Sequence, residues 1–93
     1  MIPFNFHHFY YFFIVAKEGS FSKAARALFI SQPALSAQIK QFESYWNFQL
    51  LNRERRRVTL TEEGALLFNS AKAIFDLSQE LASSISKQKF RVG

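Results

Sequence analysis

A mainly α-helical fold with one small β-hairpin and a long final helix is what this sequence predicts, on three observations. Apolar residues recur at helical spacing through four stretches, each preceded by an Asn, Ser or Thr able to cap it. Pro33 falls in the first turn of the third stretch, where a missing backbone amide costs nothing. The segment RERRR (53–57) sits between two short extended runs, after which helical spacing resumes.

The elements follow in order. Asn5 is a plausible N-cap for a first helix through about Glu18, closed by Gly19; Phe6, Phe9, Phe13 and Ala16 recur along it with Phe12 beside them. Ser20 or Ser22 caps a short second helix whose inner stripe is Ala24, Ala25 and Leu28, with Lys23 and Arg26 outside. Two adjacent alanines imply close approach of another helix. That helix gives way at Phe29-Ile30. The third is capped by Ser31 and opened by Gln32, and Asn47 can end it in a left-handed conformation. Its residues Leu35, Ile39, Phe42 and Trp46 fall within a sector about 60° wide at roughly 100° per residue. Extended runs at Gln49–Asn52 and Arg57–Leu60 make the hairpin, whose tip lacks the Gly or Asn-Gly that would specify a turn type.

Thr61 caps the last helix, with Glu62 and Glu63 favoured at its positive end. Leu67, Ala71, Ile74, Leu81 and Ile85 continue its apolar stripe, and Phe68, Phe75 and Ala82 adjoin it. Gly64 costs some helicity without stopping the helix. From 62 to about 87 it would be about 40 Å long, more than the preceding domain can cover. The expected organisation is therefore a domain over 1–60, a linker and dimerisation helix over 61–88 and a flexible tail over 89–93. Leu67, Ala71, Ile74, Phe75, Leu81 and Ile85 are the residues expected to meet a second chain.

A short helix, a brief turn and a second helix starting at Ser31 spell a helix-turn-helix, and the charged hairpin makes it the winged variety. The outward face of the third helix carries Pro33, Ser36, Ala37, Lys40 and Ser44, with Gln32 at its leading edge. Small and planar polar groups there let a backbone approach base edges in a major groove; Gln can address adenine bidentately and Ser serves several bases. Charge agrees with this. Residues 1–60 carry 8 basic and 3 acidic side chains and residues 61–93 carry 4 of each, so the whole excess of +5 lies in the first part. A polyanionic partner, nucleic acid or an anionic membrane, fits that distribution.

With the motifs YYFFIVAKEGSFSKAARAL, ISQPALSAQIKQFE and LLNRERRRVTLTEEG in this order, Phe9–Gly64 resembles the DNA-binding domain of LysR-type transcriptional regulators. The final helix is similar to that family's linker helix, through which two chains pair. The resemblance implies sequence-specific binding of double-stranded DNA by a bacterial, cytoplasmic transcription regulator, as a homodimer on two operator half-sites, with a tetramer as the assembly of a full-length protein. It implies base contacts from Gln32, Pro33 and Ser36 and a minor-groove contact from Arg56. Ala37 also faces the bases, although an arginine is frequent there, so one direct contact is lost. Ser22, Lys23, Ser31, Lys40, Arg53, Arg55 and Arg57 are expected at phosphates or the minor groove, Arg55 and Arg57 adding charge beyond the family pattern. Asn47 stands where a glycine is usual and Leu51 where a phenylalanine is usual. The opening HHFYYFFIVAKEGS also looks like the sodium/proton antiporter regulator branch.

Other classes find little in the sequence. No nucleophile–base pair, ligand constellation or phosphate-cradling glycine loop occurs, so neither an enzyme nor a cofactor is expected. Adjacent His7 and His8 point about 100° apart on a helix and lack a ligand four residues on. Cysteines are absent, which removes disulfides and thiolate metal sites. The run FYYFFIVA has no preceding Lys or Arg and is shorter than the ~18 residues of a membrane span. A soluble cytosolic chain without membrane contact is expected. RNA is disfavoured because the major groove of an A-form duplex does not admit a helix. The competing reading is a winged-helix docking module for another protein; it would need neither the charge concentration nor the polar face. Family members continue into an effector-binding domain, whereas this sequence stops at Gly93. An excised fragment or a naturally short regulator is expected, without a small-molecule effector of its own.

Overall fold

The computed structural model describes the backbone of residues 4–92 and the side chains of residues 4–88. Helices α1 (Phe6–Glu18), α2 (Phe21–Leu28) and α3 (Gln32–Trp46) are followed by strands β1 (Leu51–Glu54) and β2 (Arg57–Leu60) and by helix α4 (Glu62–Val92). This is the winged helix-turn-helix with a long terminal helix.

Local chemistry sets the boundaries. The Asn5 side chain accepts from the amides of His7 and His8 at 2.9 and 3.2 Å, opening α1. Ser20, rather than Ser22, caps α2 by accepting from Lys23 N. Ser31 caps α3 by accepting from Ala34 N, and Thr61 does the same for α4 toward Gly64 N. Gly19 and Asn47 close α1 and α3 at φ +67° and +61°. Phe29 closes α2 at φ +57°, a position an aromatic rarely takes, and it is 94% exposed. The tight exit is bonded: Phe29 N donates to Arg26 O and Ile30 N to Ala25 O. Ser31 thereby follows at once as the next cap.

Helix α1 lies at the centre. Phe9, Phe12, Phe13 and Val15 are buried against Ala24 and Ala25 of α2 and Leu35, Ile39 and Phe42 of α3. The Ala pair allows the close helix approach that its small side chains imply. Among the described residues the core contains no buried polar side chain. His8 lies against this core, and partial burial, with a lesser contribution from neighbouring His7, holds its pKa below the ordinary value.

The hairpin begins later than expected, at Leu51 instead of Gln49. Gln49 and Leu50 are occupied in docking: Leu50 N and Leu51 N both donate to the Glu43 carboxylate, at 2.7 and 3.1 Å. Gln49 O accepts from the Thr61 hydroxyl and Leu50 O from Thr61 N. Pairing then runs from Leu51↔Leu60 to Glu54↔Arg57, leaving Arg55-Arg56 as the loop. Neither has positive φ, so the turn is not one of the primed types usual for two-residue loops. Val58 N donates to Gly19 O and fastens the wing to the end of α1. Leu51 is buried in the core in the place of the usual phenylalanine.

Helix α4 continues to Val92, past the end expected near Lys87 and through most of the tail expected at 89–93. Gly93 and the side chains beyond Gln88 lie outside the described residues. The stripe expected to meet a second chain divides in two. Ala71 is fully buried, and Leu67 and Phe75 are half-buried against the chain's own core. Phe75 packs on the rings of Phe6, Phe9, Tyr10 and Phe13 at centroid distances of 5.1 to 5.5 Å, and Phe68 stacks on Phe13. These residues hold α4 to α1. Ile74, Leu81 and Ile85 stay exposed, joined by Leu66 and Leu77.

Candidate nucleic-acid interface

The first turns of α2 and α3 and the wing enclose one open cleft of about 420 Å³. Gln32, Pro33 and Ser36 line one side, Ser20, Phe21 and Ser22 a second, and Arg53–Arg57 with Val58 the third. Four arginines thus face the leading end of α3. Gln32 and Pro33 are exposed and Ser36 is half-buried. Proline at this position brings no amide to the helix end, and Ser31 accepts from Ala34 N and Leu35 N, so the first turn of α3 is capped and offers few free donors to an anion.

The remaining expected site residues, Lys23, Ser31, Ala37 and Lys40, do not line this cleft. Lys23 is exposed on the first turn of α2, and Ser31 at the cap of α3. Ala37 and Lys40 are exposed further along α3. Lys40 borders a second, shallower groove with Glu43, Ser44 and Arg53, on the far side of β1. Arg53 therefore stands between the two grooves.

Three features of the site escaped the sequence reading. Arg53 is not a free charge: its Nη2 donates to Ser36 Oγ at 2.7 Å and its guanidinium lies 4.0 Å over the Phe21 ring. Glu43 fixes the entry to β1 through the amides of Leu50 and Leu51, and with Lys40 three residues before it as an ordinary helical partner nothing local signalled this role. Gly64 allows α4 to touch the Leu50 backbone, since a Cβ there would lie 2.0 Å from Leu50 O.

Residues 6–65 match the family described as bacterial regulatory helix-turn-helix protein, lysR family. The chain belongs to the LysR family. That family consists of regulators rather than enzymes. Among curated relatives, this LysR-family chain is 44% identical over 71 residues to a probable RuBisCO transcriptional regulator of Porphyra purpurea, covering 76% of this chain and 22% of the relative. It is 39% identical over 84 residues to one of Synechocystis sp., covering 90% and 24%. The chain thus spans about a quarter of the length of these relatives. The relatives bear on the family and not on the antiporter regulator branch. Among solved structures, the BenM DBD/catB site 1 DNA complex is 36% identical with a TM-score of 0.80, covering 90% of this chain and 93% of that one. The CbnR DBD–DNA complex is 28% identical with a TM-score of 0.75, covering 91% and 98%.

Proposed function

We propose that this LysR-family chain binds double-stranded DNA as the DNA-reading part of a cytoplasmic transcription regulator. One observation carries the reading: Gln32, Pro33 and Ser36 share a cleft with Arg53–Arg57. Helix α3 enters the major groove by its leading end, with Gln32, Pro33, Ser36 and Ala37 toward base edges. The wing lies over the adjacent backbone, where Arg55 and Arg57 meet phosphates and Arg56 reaches the minor groove. Ser22, Lys23, Ser31 and Lys40 flank the groove as phosphate contacts. The DNA complexes of BenM DBD and CbnR DBD support this use of a similar fold. Among the described residues no helix is long and apolar enough to cross a membrane.

The test is a salt titration on random and selected duplexes. Log affinity falls linearly with log salt, and Arg55→Ala or Arg57→Ala each reduces the slope by about 0.9 per bound protomer on both duplexes. An unchanged slope removes the wing from the DNA, and failure to retain any duplex turns the reading toward a protein-docking module.

Two chains pair through the exposed part of α4. Ile74, Leu77, Leu81 and Ile85 succeed one another by three or four residues and remain 37 to 66% exposed. Leu67, Ala71 and Phe75 serve the intrachain core instead and support the helix from behind. The pair then reads half-sites about one helical turn, or a multiple of it, apart. Leu81→Glu combined with Ile85→Glu converts a sedimenting dimer into a monomer while leaving the melting of the winged domain in place. A double variant that still sediments as a dimer puts the interface elsewhere.

A further inference from the structure

We propose that Arg53 is a positioning residue that turns the Ser36 hydroxyl into a hydrogen-bond donor toward the cleft, which biases Ser36 toward a base that offers an acceptor. The inference rests on the DNA-binding reading and adds to it what Ser36 can recognise.

A serine hydroxyl has one proton and two acceptor lone pairs, and rotates to suit its surroundings. Left alone on a helix it commonly turns back to the carbonyl four residues earlier, as Ser78 does toward Ile74 O at 3.0 Å. Ser36 instead bonds sideways to the wing. Arg53 Nη2 is 2.7 Å from Ser36 Oγ, and a guanidinium can only donate. One lone pair is therefore taken and the hydroxyl proton is turned away from Arg53. Ser36 and Arg53 both line the cleft, so the hydroxyl stands within reach of a ligand in it. A charge-assisted bond also polarises the hydroxyl and strengthens its donation.

The guanidinium is itself held. It lies over the Phe21 ring at 4.0 Å, and strand pairing of Arg53 with Val58 fixes its backbone. Phe21 is half-buried on α2. Arg53 thus joins α2, α3 and the wing. A lysine keeps the charge but has neither the planar stack nor the fork. The acceptors available on a major-groove edge are purine N7, guanine O6 and thymine O4; with one of its two lone pairs taken, Ser36 is biased toward these over the amino groups of adenine and cytosine.

The experiment uses the 93-residue chain and a duplex selected from a random pool. Acceptor-deleted bases replace natural ones singly: 7-deazapurines for N7, 2-aminopurine for guanine O6 and 5-methyl-2-pyrimidinone for thymine O4. At one position the wild type loses affinity by about tenfold, and Ser36→Ala and Arg53→Lys, each already weaker on the natural site, lose no more there. Arg53→Lys leaves the salt slope unchanged, and Phe21→Leu weakens the natural site without adding to the loss of Arg53→Lys. Thermal melting of each variant verifies the fold.

Wild-type affinity in Arg53→Lys overturns the inference. So does a Ser36-coupled position that does not couple to Arg53, or the absence of any coupled position. Arg53→Ala lowering the slope by about 0.9 per bound protomer makes Arg53 a phosphate contact instead. Each of these outcomes leaves DNA binding standing, whereas a wild-type chain that retains no duplex overturns both readings together.

Discussion

Gly64→Ala lowers the stability of the fold by about 2 kcal/mol net, although alanine is the better helix former by about 1 kcal/mol. The added Cβ meets Leu50 O at 2.0 Å and Leu50 C at 2.9 Å, and both are backbone atoms. Relief by a rotamer change is therefore closed. The obstructing peptide is pinned as well: Leu50 N donates to Glu43, and Leu50 O accepts from Thr61 N. Either α4 tilts away from the core, loosening Ala71 and the Phe68–Phe13 stack, or the Glu43 contacts stretch. Melting followed by circular dichroism should show a Tm lower by on the order of 10 °C. A raised Tm would mean that helix propensity outweighs the close approach.

This substitution also marks where the sequence stopped being informative. Gly64 read as a helical blemish because propensity is local, whereas its purpose depends on a peptide fourteen positions earlier that no periodicity announces. The same distinction runs through the chain. Asn5, Ser31, Asn47 and Thr61 act on amides and turns within a few residues, and each caps or closes its helix as expected. Strand β1 starts later than the local pattern predicts because Gln49 and Leu50 are claimed by Glu43 and Thr61 across the fold. On α4 the apolar period gave the stripe but not its partner. Whether Ala71 or Leu81 meets α1 depends on how far the small domain reaches along the helix. At the cleft, the leading end of α3 and the arginine-rich wing were legible as separate signals, and the fold brings them together. The bond from Arg53 to Ser36 was not, since it joins side chains from two elements.

Gln32→Ala should cost about 1–3 kcal/mol, or roughly 5- to 150-fold in affinity, on the selected site. On random duplex it should cost little. The side chain is exposed at the first position of α3 and lines the cleft, where its amide can give one donor and one acceptor to an adenine edge. Nothing in the helix depends on it: the cap is made by Ser31 toward Ala34 N, and the buried face is Leu35, Ile39 and Phe42. Alanine also favours the helix, so the variant should melt no lower than the wild type. Gln32 carries no charge, and its loss leaves the salt slope intact, unlike the loss of Arg55 or Arg57. The pattern is therefore specific: selectivity falls at one A·T pair while stability, slope and random binding hold. Competition between selected and random duplexes measures it directly. Equal losses on both would reduce Gln32 to a scaffold residue and leave recognition to Ser36 and the wing, because a direct reader of a base edge must lose more on the site it reads than on random duplex.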